Sequence, residues 1–131
     1  MPKVTISDAK GLVQETGKGL VINSQMSQST LSVSAAGPTS PDVSGVNVLL
    51  VDTSGNSVTL GGLTGGVAGQ IVYIIKTAAG NNLVLENAEG DAQNFLIDNG
   101  DLTFTAIVGG AICIYNGSAW QVISAGLGTL S

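Results

Sequence analysis

Residues 109–124 read GGAICIYNGSAWQVIS, and no other stretch limits the fold as much. Residues 111–115 are rich in β-branched and aromatic side chains, and so are residues 120–124. Between them stand Asn116 and Gly117, which both tolerate the positive φ angles of a tight turn, so the pattern predicts a β-hairpin. Alternate residues of a strand point to opposite faces. Ala111, Cys113 and Tyr115 therefore share one face, and Ile112 and Ile114 the other. Neither face is polar. Such a strand needs cover on both sides. In a chain of 131 residues the expected cover is a second sheet and another copy of the chain.

The rest of the chain from residue 42 onward predicts further short strands with turn residues between them. They fall at 46–51, 57–60, 70–76, 83–86, 95–98 and 102–106, and the hairpin adds two more. In the strand over 70–76, Ile71, Tyr73 and Ile75 face one way and Val72 and Ile74 the other. It repeats the doubly apolar pattern. Over 102–106, Leu102, Phe104 and Ala106 alternate with Thr103 and Thr105, as in a strand with one face in water. No stretch has a helical period of 3.6. The expectation is an all-β fold, an eight-stranded antiparallel sandwich of jelly-roll type. A core this small is marginal alone, and the second apolar faces suggest a trimer. The residues expected in the core or the trimer interface are Val72, Tyr73, Ile74, Ile112, Cys113, Ile114, Tyr115 and Trp120. Two glycine-plus-strand units look alike, but no fixed period connects them.

Residues 1–41 differ in character. They hold three of the four lysines and two apolar clusters, at 4–6 and 19–22, before a Ser/Thr/Gln/Ala-rich run to Pro41. Such a run buries too little apolar area to offset its ordering entropy unless it lies on another surface. The expected division is an extended arm over 1–41 and a β domain over 42–131. In the arm, Lys3, Val4, Ile6, Lys10, Lys18, Leu20 and Ile22 are the residues expected to make contacts.

Chemistry is sparsely provided for. The chain has no histidine, which removes Ser-His-Asp and Cys-His arrangements and His-based metal sites. Its single cysteine cannot form a thiolate zinc site, and the glycine-rich stretch 61–69 lacks the GK[ST] of a phosphate loop. Glu86, Glu89, Asp91, Asp98 and Asp101 cluster in sequence, but without calcium-loop spacing, and read as a solvated acidic rim. Four lysines and no arginine, against nine carboxylates, give no basic patch for nucleic acid. No apolar run approaches the ~20 residues of a membrane span, and residues 1–11 lack the apolar core of a signal peptide. Without a secretion signal, Asn116-Gly117-Ser118 reads as a turn rather than a glycosylation acceptor. Trp120 reads as a cap over the end of the sandwich, with a sugar-stacking platform as the alternative. No cofactor, metal or enzymatic activity is expected.

Several stretches together carry a family resemblance. They are GVAGQIVYII at 66–75, NNLVL at 81–85, DLTF at 101–104, GAICIYNG at 110–117 and WQVI at 120–123. This pattern resembles β domains in virion structural proteins of tailed bacteriophages, found in small capsid decoration (cement) proteins and in head- and tail-fibre modules. The resemblance implies a homotrimer on the virion capsid surface, with the major capsid protein as partner. No shaft repeat or coiled coil is present, which favours decoration over a fibre module binding host-surface carbohydrate. On this reading residues 1–41 lie along neighbouring coat subunits.

Overall fold

Residues 4–7, 11–14, 16–17, 25, 27–88, 93–105, 108–126 and 128–130 are described by a computed structural model. The strands are β1 (Val4–Ser7), β2 (Gly11–Gln14), β3 (Thr30–Val33), β4 (Val48–Val51), β5 (Val58–Leu60) and β6 (Ile71–Lys76). They continue as β7 (Leu83–Leu85), β8 (Phe95–Leu96), β9 (Leu102–Phe104), β10 (Gly109–Tyr115), β11 (Trp120–Gly126) and β12 (Thr129–Leu130). Among the described residues there is no helix. Three sheets result: a six-stranded one in the order β3-β4-β6-β10-β11-β8, a four-stranded one in the order β12-β9-β7-β5, and a separate pair β1-β2.

The two larger sheets face each other across one core. β4, β6 and β10 send Leu49, Val51, Val72, Ile74, Ala111 and Cys113 inward, and β5, β7 and β9 answer with Val58, Leu60, Leu83, Leu85, Leu102 and Phe104. The alternation is regular. β9 buries Leu102 and Phe104 and leaves Thr103 half-exposed, as its sequence predicts. Each fully buried Leu, Ile, Val or Phe contributes roughly 1.5–3 kcal/mol relative to exposure.

The fold is all-β, but it is not uniformly antiparallel. β3 runs parallel to β4, β4 to β6, β5 to β7 and β8 to β11. The antiparallel ladders are β6–β10, β10–β11, β7–β9 and β9–β12. From β4 to β7 the chain winds as a coil, visiting the six-stranded and the four-stranded sheet in turn. Val48 comes to lie beside Tyr73 and Val58 beside Leu83, so both walls advance by the same interval. The turn residues Asp52 to Asn56 make a corner between sheets instead of a hairpin. A strand that returns after crossing to the other sheet runs the same way as its predecessor, and parallel pairing follows. This corrects the expected eight-stranded antiparallel arrangement.

The Asn116-Gly117 hairpin does form, with Tyr115 opposite Trp120. Asn116 closes the turn by accepting hydrogen bonds at Oδ1 from the Ser118 and Ala119 N–H groups at 2.8 and 2.9 Å. Gly117 takes a φ of 98°, which its missing Cβ allows.

The division expected between residues 41 and 42 does not follow the fold. β3 is an edge strand of the six-stranded sheet, and its Leu31 and Val33 pack on the core. Further along, the Thr39 N–H donates to the Thr59 carbonyl at 3.0 Å and the Thr64 N–H to the Pro41 carbonyl at 2.9 Å. Backbone hydrogen bonds thus stitch this Ser/Thr-rich segment to β5 and to the loop after it, and they supply the surface that its composition requires. Val4 and Ile6 lie in β1, which pairs with β2 from Val4–Gln14 to Ser7–Gly11. Lys3, Lys10, Lys18, Leu20 and Ile22 lie outside the described residues, as does the apolar cluster at 19–22.

Candidate functional site

The pleat divides the expected residues into two groups. Val72, Ile74, Cys113, Tyr115 and Trp120 point into the core, each at most 8 % exposed. Tyr73, Ile112 and Ile114 point away from it, half-buried by their neighbours alone. Ladder register assembles the outward residues into rows across the sheet. One row runs Val48, Tyr73, Ile112, Ser124; the next runs Leu50, Ile75, Gly110, Gly126; a third runs Ile71, Ile114, Gln121, Leu96. None of these side chains is charged. Ile71, Ile75 and Leu96 are 38, 41 and 45 % exposed.

A hollow of about 240 Å³ opens in this face over Gly110, rimmed by Tyr73, Ile75, Ile112 and Ser124. Gly110 and Gly126, both lining it, stand side by side in the ladder, and a Cβ on Gly126 would meet nothing within 4 Å. The sequence reading does not single out Val48, Leu50 or Leu96. Val48 and Leu50 belong to the continuous apolar run VLLV, whose lack of polar alternation was the available signal. Leu96 had none, since its two-residue strand is too short to show a period.

Trp120 is completely buried. Its ring sits 5.1 Å from that of Tyr115 at a tilt of 36°. The indole N–H donates to Gln93 Oε1 at 3.2 Å, and the same amide holds Gly66 through its N–H at 2.8 Å and its carbonyl at 3.0 Å. A Cβ on Gly66 would lie 2.4 Å from the indole Cζ2. The ring therefore seals one end of the core and offers no stacking surface to a sugar. Cys113 is also interior, and burial pushes its thiol up to about 12. It stays protonated at neutral pH, so it is a packing group and not a nucleophile.

Three of the acidic residues, Asp42, Asp52 and Asp101, serve loop closure. Asp101 accepts the Asn87 N–H at 2.9 Å, and Asn87 Oδ1 in turn accepts the Ile97 N–H at 3.0 Å. Asp42 and Asp52 fold corners by accepting N–H groups two residues on, both at 2.9 Å. Hydrogen bonds from Ser44 and Ser54 hold these carboxyls below the ordinary range. Among the described residues no group of three or more His, Cys, Asp or Glu is placed to hold a metal ion; Glu89 and Asp91 lie outside them. The inward Lys76 is buried and donates to the Ala78 carbonyl at 2.5 Å, a bond that helps fix the turn after β6. What the fold presents is a broad uncharged apolar face, suited to contact with another protein surface. A scan against protein-family models finds no match for the chain, and a search of curated proteins returns no significant one.

Proposed function

We propose that the chain is a structural virion protein, a capsid decoration (cement) protein that acts as a trimer and stabilises an assembled shell. The outer face of the six-stranded sheet is the observation that carries this reading. Strands ~4.8 Å apart and rows ~7 Å apart make the four-strand patch on the order of 300 Å². That is the size of a functional patch on a monomer, and about a third to a half of what one partner contributes to a stable interface. The apolar rows would form the centre of a subunit contact and the surrounding polar strand ends its rim. The hollow over Gly110 would receive a side chain of the neighbouring subunit. The resemblance of the strand and turn motifs to phage decoration domains supplies the setting, where trimers sit at three-fold positions among coat subunits.

Two measurements test this together. Sedimentation of the purified chain at micromolar concentration should give a trimer, and electron microscopy of the parent particle should find it on the shell surface. A stable monomer would remove the trimer, and a particle without it on the capsid would remove the decoration role.

A further inference from the structure

The chain has two Asn-Gly steps, Asn99-Gly100 and Asn116-Gly117, and the fold treats them differently. Such a step is chemically labile, because a glycine without a Cβ leaves its main-chain nitrogen uncrowded for attack on the asparagine side chain. The nitrogen gives its proton to base and bonds to Cγ of the asparagine. The Cγ–Nδ2 bond breaks, and the amide nitrogen leaves as ammonia with a proton from water. Water then opens the resulting succinimide. Opening at the side-chain carbonyl gives aspartate, and opening at the main-chain carbonyl gives isoaspartate.

Both asparagines are exposed, so base and water reach them alike. Their hydrogen bonding is what differs. Asn116 Oδ1 is held at two points, by the Ser118 N–H at 2.8 Å and the Ala119 N–H at 2.9 Å. Ring closure must swing Cγ toward the Gly117 nitrogen, and a side chain tethered two and three residues ahead has to give up those bonds first. Asn99 stands in the turn between β8 and β9. Among the described residues nothing hydrogen-bonds its side-chain amide. The N–H groups of Gly100 and Gly117 are alike in having no partner there, so the side-chain tether alone separates the two steps.

We propose that Asn99 is a self-modification site, which converts to aspartate and isoaspartate in the folded protein with water as its only co-reactant. Asn116, tied into its hairpin turn, is spared. The place of Asn99 gives the conversion a consequence. It adds a carboxylate between Asp98 and Asp101, and isoaspartate also adds a methylene to the main chain between the buried Ile97 and Leu102. The bonds from the Asn87 N–H to Asp101 and from the Ile97 N–H to Asn87 Oδ1 hold this turn, and conversion loosens them. None of this depends on the trimer or the virion reading.

The full-length chain, incubated in mildly alkaline buffer and followed by peptide mass spectrometry with isoaspartate separated from aspartate, tests the proposal. In the folded protein Asn99 should convert about tenfold or more faster than Asn116, since two hydrogen bonds must break at the latter. In urea the two rates should come together. Equal rates in the folded protein, the reverse order, or a gap that persists in urea would each overturn the assignment. Hydrogen exchange on the aged protein reads the consequence. The Asn87 and Ile97 amides should exchange faster than in fresh protein, by about fivefold or more. Asn99→Gly, which accepts the φ of 72° found at this position, should age without that change. Converted protein in which both amides stay as protected as before, or Asn99→Gly protein that loosens equally on ageing, would overturn the link between Asn99 and the turn.

Discussion

β6 and β10 carry apolar side chains on both faces, yet the two faces have opposite fates. Val72, Ile74 and Cys113 are completely buried, because β5, β7 and β9 close over them. Ile71 and Ile75, one residue away in sequence, keep 38 and 41 % of their surface. The outward side is no less apolar than the inward one, which even includes Lys76, so hydropathy cannot be what separates core from surface. The difference lies in where the coil from β4 to β7 lays its second wall. The inner face stabilises the subunit and the outer face has its energy still to gain from another surface.

The largest test of that contrast puts a charge on the inner side. Cys113→Arg forces a guanidinium into a completely buried apolar layer, and should cost more than ~4 kcal/mol, enough to abolish folding. Far-UV circular dichroism and soluble yield would read this. A folded Cys113→Arg protein would mean that the inner face is open to water. Next comes Trp120→Ala, which empties the sealed end of the core and should cost roughly 3–5 kcal/mol, seen as a lowered urea midpoint. Gly66→Ala probes the same end from the other direction. Its Cβ would collide with the indole, with an expected loss of about 1–3 kcal/mol by overpacking.

On the outer face the expectation reverses. Ile75→Lys should change the stability of the subunit by no more than about 0.5 kcal/mol, as for an ordinary surface substitution. Its effect should appear in sedimentation, as loss of association. Equal damage to folding from Ile75→Lys and Cys113→Arg would erase the distinction between the faces. The smallest effect belongs to neither face. The hydroxyl of Ser44 at 2.6 Å, then its N–H, lowers the folded-state pKa of Asp42. That contribution is present above the unfolded carboxylate value of about 3.9 and is lost as pH falls through the lower folded one. In Ser44→Ala, the Asp42 titration followed by nuclear magnetic resonance should move upward, with association unchanged.

Much of this molecule is local and therefore legible in its residues. The strands from β4 to β11 fall within a residue or two of where apolar alternation and turn residues put them, and Asn116-Gly117 makes its hairpin. The doubly apolar nature of β6 and β10 is equally a property of sequence, because side-chain direction alternates in any strand. Three things were decided only by tertiary structure. One is the parallel pairing of β3, β4 and β6: a turn motif bends the chain but does not say whether it folds back in its own sheet or crosses to the other. Another is the place of β3 in the fold, where a polar segment is held by backbone hydrogen bonds that its side chains do not announce. The last is which apolar face is covered. Covering needs a second surface brought from far along the chain, and no pattern within a strand of six or seven residues contains that information.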